Sequence, residues 1–130
     1  MGDGLSACPE RERALRQARE ACRLEPENGL YLNTLGVALY RAGRYQTALE
    51  TLTRSEKLNT AKFEAPQPAD LAFLAMAQHR LGKRDAARQM LERLRQVAKE
   101  PRWANDAETN AFLHEAEKLL QDPAAAERAK

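Results

Sequence analysis

Leu35-Gly36-Val37-Ala38-Leu39-Tyr40-Arg41-Ala42-Gly43 returns 39 positions on, as Leu74-Ala75-Met76-Ala77-Gln78-His79-Arg80-Leu81-Gly82. The same shift carries Ala48 onto Ala87 and Leu52 onto Leu91. In the other direction a shift of 34 carries Ala48 onto Ala14 and Thr60 onto Pro26. Self-similarity at such a period marks stacked helix pairs, each unable to bury its apolar face alone. Stacks of this kind act through surfaces rather than enclosed catalytic pockets.

The surrounding composition agrees. The chain has 130 residues, the size of one domain. It has no isoleucine, and Val37 and Val97 are its only valines. Strands draw on β-branched and aromatic residues, whereas the Ala, Leu, Arg, Glu and Gln that dominate here favour helix. An all-α chain is expected. The net charge of +2 comes from 21 basic and 19 acidic residues spread along the sequence, without a charged tail.

No run approaches the ~20 apolar residues of a membrane-spanning helix, so no membrane partner is expected. The opening Met1-Gly2-Asp3-Gly4-Leu5 lacks the basic and then apolar segments of a signal peptide, and Asp3 argues against lipidation. On one helix Cys8 and Cys22 would stand ~21 Å apart at ~1.5 Å per residue, beyond disulfide reach. Two such thiols fit a reducing, cytoplasmic setting.

The spacing of apolar residues predicts a first helix over residues 9–24, opened by Pro9 and stopped by Pro26 and Asn28-Gly29. A second, over 30–42, sets Leu32, Leu35, Gly36, Leu39 and Tyr40 at helical spacing, and Gly43 ends it. A third covers 45–58. The segment 59–70, with Phe63, Pro66 and Pro68, reads as a loop that absorbs the five residues separating the periods of 39 and 34. Helices four and five follow over about 68–82 and 84–98. Pro101-Arg102-Trp103 breaks the chain, Asn105 and Glu108 have capping-box spacing, and a last helix reaches about residue 121. Residues 124–130 are expected to fray. The short connections at Gly43 and Gly82 fold each pair back on itself, and Gly36, Ala48, Ala75 and Ala87 permit close approach. Tyr31, Tyr45, Phe63 and Trp103 read as packing anchors.

Leu32-x₂-Leu35-Gly36-x₂-Leu39, then Gly43-x-Tyr45, then Ala48-x₃-Leu52, resembles the tetratricopeptide repeat. The following repeat departs further, with Ala75 for the glycine and Gln78 where an aromatic is usual. Residues 9–28 look like the second helix of a preceding repeat. The resemblance implies a right-handed α–α superhelix in a single domain: a partial repeat (9–28), two repeats (29–62 and 63–100) and a capping helix (104–121). Asn33 to Gly43 and Pro101-Arg102-Trp103 also resemble repeat regions attached to some bacterial serine/threonine kinases and WD-repeat proteins. A lone second helix leaves one face uncovered, so the chain is either one end of a longer protein or associates with a second copy through that face.

The resemblance further implies a concave groove lined by the first helix of each pair. The matching positions are Leu30, Asn33, Val37, Tyr40 and Arg41, then Ala69, Ala72, Phe73, Met76, His79 and Arg80. A protein or peptide partner is expected there. Asn33, Tyr40, Arg41, His79 and Arg80 would hydrogen-bond it, and Val37, Phe73 and Met76 would supply apolar anchoring. The family's cluster for clamping a terminal carboxylate is not matched. A spacer segment of a larger signalling protein, without a ligand of its own, is the alternative.

No catalytic residue, metal or cofactor is expected. His79 and His114 lack metal-pair spacing, and there is no phosphate loop or nucleophile elbow. Residues 80–102 are rich in Arg and Lys but carry no interleaved aromatics for stacking on bases. They read as a solvated outer face rather than a nucleic-acid site.

Overall fold

The computed structural model describes residues 8–122, so the expectations for residues 1–5 and 124–130 lie outside the described residues. Among the described residues every regular element is a helix. The order is α1 (Pro9–Leu24), α2 (Gly29–Arg41), α3 (Tyr45–Phe63), α4 (Pro68–Arg80), α5 (Arg84–Ala98), α6 (Pro101–Ala104) and α7 (Ala107–Leu120). Pro9, Pro68 and Pro101 each open a helix, where a missing N–H costs nothing. Asn28 caps α2 by accepting the Tyr31 N–H at 3.1 Å. Gly43 and Gly82, at φ 81° and 80°, make the turns that join α2 to α3 and α4 to α5.

Packing follows this order. α2 lies chiefly against α3 and α4 against α5; α1 rests on α2, α3 on α4, and α7 across α4 and α5. α2 and α4 run side by side in the same direction. Near their first turns Asn33 meets Asp70, and near their last turns Tyr40 meets Arg80. The core centres on α4, where every residue from 71 to 77 is at most 3% exposed. The cause is its position, with α2, α3, α5 and α7 all packed around it.

Three local expectations are corrected. The expected loop from residue 59 is helical as far as Phe63, because buried Asn59 bonds back to Ser55 and across to Asp70. Part of the extra length thus extends α3, which stops at Glu64 in the left-handed conformation, φ 59°. The cap of α7 is Asp106 rather than Asn105, its carboxylate accepting both the N–H and the hydroxyl of Thr109 at 2.8 Å. Tyr31 and Phe63 are each 38% exposed and do not anchor packing, whereas Tyr45 and Trp103 are half-buried.

Close approach within the first pair depends on Gly36. A Cβ there would fall 2.5 Å from both Cγ and Cδ2 of fully buried Leu52. Alanine at this position gains ~1 kcal/mol of helix propensity but incurs overpacking of ~1–3 kcal/mol. Gly36→Ala is therefore expected to destabilise by about 1 kcal/mol, and the cost should shrink or vanish in a Leu52→Ala background. Urea denaturation of the four proteins in this cycle measures the coupling. Strictly additive effects would refute the contact.

Candidate partner-binding groove

A buried polar junction locks α2, α3 and α4 together. Asp70 on α4 accepts from Asn33 Nδ2 at 2.8 Å, Ser55 Oγ at 2.6 Å and Asn59 Nδ2 at 3.0 Å. Ser55 Oγ also lies 3.0 Å from the Gly29 carbonyl, but its single proton favours the shorter contact with the carboxylate. Burial pushes the Asp70 carboxyl above its ordinary value, and the hydrogen bonds from Ser55, Asn59 and Asn33 pull the other way without cancelling the shift.

Next to this junction runs a line of rings. Tyr45 and Tyr40 have centroids 5.4 Å apart, Tyr40 meets the edge of Phe73 at 5.6 Å, and Phe73 meets Phe112 of α7 at 5.0 Å. The Arg41 guanidinium lies 5.0 Å over the Phe73 ring and grips the Glu115 carboxylate of α7 with two nitrogens. Arg80 donates to the Tyr40 hydroxyl at 3.3 Å and sits 5.5 Å over the Tyr45 ring. Burial raises the Tyr40 phenol, with Arg80 opposing it.

The Arg41–Glu115 clasp divides the side lined by α2, α4 and α7 into two hollows. The upper one, about 360 Å³, has Leu30, Trp103 and Phe112 as walls, Asn33 and Asp70 at its floor, and Asp106 and Glu108 at its rim. The lower one, about 240 Å³, lies among Tyr40, Arg80, Glu115 and Lys118.

The expected binding residues separate accordingly. Asn33 is half-buried, its amide committed to Asp70, and it lines the upper hollow. Tyr40 is buried, with its edge in the lower hollow beside Arg80. Arg41 is exposed but engaged by Glu115. Val37 lines a different cleft, between α1 and α2.

Phe73 and Met76 have no exposed surface at all, which corrects the expectation that they anchor a partner. The Arg41 clasp and the apolar face of α7, which includes Phe112, Leu119 and Leu120, pack over them. His79 is also buried, its Nε2 lying 3.3 Å from the Asp122 carbonyl. Ser55, Asn59, Asp70 and Trp103 were not among the expected groove residues. Ser and Asn on the inner face of α3, opposite an Asp one turn into α4, are the signal that could have identified the junction.

Much of the charge on residues 80–102 is internally matched. Arg93 pairs with Glu56 at 3.6 Å, Arg95 with Glu117 at 2.9 Å, Arg102 with Glu100 at 3.4 Å, and Arg88 with Asp85. Among the described residues no helix is long and apolar enough to cross a membrane. No protein-family model, curated protein or solved structure matches the chain.

Proposed function

We propose that the chain is a protein–protein interaction module whose helix pairs follow the right-handed tetratricopeptide arrangement. It would receive a segment of a protein or peptide partner in the hollow between α2, α4 and α7. The supporting observation is the composition of that hollow: apolar and aromatic walls from Leu30, Trp103 and Phe112 beside fixed polar groups at Asn33 and Asp106. Such a mixture suits a peptide, whose side chains need apolar pockets and whose backbone needs hydrogen-bond partners. The junction at Asp70 holds α2 and α4 rigidly, which lowers the ordering cost of association.

Affinity capture followed by cross-linking mass spectrometry tests this reading. Partner cross-links are expected to map to α2, the start of α4 and α7. Leu30 is 50% exposed, so Leu30→Arg should leave the melting temperature unchanged while weakening capture about tenfold, a loss of ~1.4 kcal/mol. Capture indifferent to Leu30→Arg, with cross-links elsewhere, would refute the groove.

A further inference from the structure

The upper hollow differs in charge from the chain around it. Bases outnumber acids 21 to 19 over the sequence, yet no lysine, arginine or histidine lines this space. Asp70, Asp106 and Glu108 do. Leu30, Pro68 and Thr109 lie in the first turns of α2, α4 and α7, so three helix starts converge there as well. Each start is equivalent to roughly +0.5 elementary charge, about +1.5 together, against which stand three carboxylates. The hollow is therefore negative. Arg102, 5.8 Å over the Trp103 ring, pairs with Glu100 and does not line it.

The three carboxylates are not equivalent. Asp70 is fully buried and its oxygens are taken by Asn33, Ser55 and Asn59. Asp106 spends only Oδ2, on the hydroxyl and the N–H of Thr109, which hold its carboxyl below the ordinary value and leave Oδ1 over. The Glu108 carboxylate has no hydrogen bond or ion pair among the described residues. Acids in a first turn commonly serve their own helix, but capping α7 accounts for one oxygen of these four.

We infer that the upper hollow takes a lysine or arginine side chain of the partner segment, its aliphatic stem against Leu30, Trp103 and Phe112 and its charged head at Asp106 and Glu108. The inference rests on the reading of this groove as a peptide site and gives that peptide its chemistry. A long basic side chain matches such a place, because its stem buries against apolar walls while its head needs a counter-charge. An acidic side chain would meet like charge on every side. A wholly apolar one would draw water from two carboxylates and return nothing to them.

Short random peptides displayed on phage supply the probe, with the whole chain as bait. A selected peptide is then synthesised with its base intact or replaced by norleucine, and both forms are titrated by fluorescence anisotropy. The selected sequences are expected to share a lysine or arginine. Norleucine should cost the wild-type protein about tenfold in affinity, a difference of ~1.4 kcal/mol, and cost the double variant Asp106→Asn/Glu108→Gln almost nothing. Asparagine still caps α7 and glutamine keeps the shape of Glu108, so the melting temperature should stay near that of wild type. The wild-type preference for the base should shrink as salt is added.

Leu30→Ser, which alters a wall of the hollow but no charge, separates this inference from the groove it rests on. Peptides that need Leu30 but carry no base would overturn the cation seat and leave the groove standing. A norleucine penalty equal in wild type and double variant would do the same. So would a double variant that melts earlier yet discriminates like wild type, since the two acids would then serve α7 alone. Peptides indifferent to Leu30→Ser, or no selected peptide at all, would remove the groove and the seat with it.

Discussion

Phe73→Ala is expected to destabilise the protein by about 3–5 kcal/mol, the range for truncating a fully buried aromatic. In a domain of this size that lowers the melting temperature by roughly 10–20 °C. The ring is fully buried and contacts Tyr40 on one helix and Phe112 on another, so its removal leaves a cavity that neither neighbour can collapse into without leaving its own packing. The Arg41 guanidinium also loses the ring face beneath it. Chemical denaturation followed by far-ultraviolet circular dichroism measures the cost. A loss below about 1 kcal/mol would mean that α7 does not pack over this residue.

Asp70→Ala removes the one acceptor shared by Asn33, Ser55 and Asn59. Each unsatisfied buried donor costs ~1–3 kcal/mol; Ser55 keeps a second acceptor in the Gly29 carbonyl and Asn59 one in the Ser55 hydroxyl, whereas Asn33 is left without its partner. A net loss of about 3 kcal/mol is expected. The charge itself has a distinct signature. Burial raises the folded-state value of this carboxyl above its ordinary 3.8. Its contribution to stability is therefore full below that ordinary value and eroded as pH rises through the folded-state value. Relative to Asp70→Asn, which does not titrate, wild type should gain stability on moving from about pH 7 to about pH 4. Thermal melts of both proteins across this range decide the matter. A difference that stays constant, or moves the other way, would show that the carboxylate is not strained by burial.

The helix pairs were readable because the 3.6-residue period, the prolines at helix starts and the glycines at Gly43 and Gly82 are all local signals. The course of α3 beyond residue 58 was not. Asn59 is a weak helix former, and its helical state depends on a carboxylate eleven residues further on. The groove was legible only in part for a similar reason. Sequence spacing places Phe73 and Met76 on the same helix as Ala69 and Asp70, but cannot tell how far α7 will reach across them. Leu30 and Asn33 keep access because the α6–α7 turn contributes a wall there rather than a lid. Phe73 lost it because an arginine from α2 and an aromatic ring from α7 converge on it.

If the proposed groove takes a peptide, the Arg41–Glu115 pair would also make ionic strength a determinant of ligand length. A short peptide confined to the upper hollow would leave the pair intact, whereas one spanning both hollows would have to break it. Partly exposed pairs are worth up to ~1 kcal/mol, so the longer ligand forfeits at most about fivefold in affinity. Added electrolyte weakens that internal competitor, so long ligands should gain on short ones as the buffer becomes saltier.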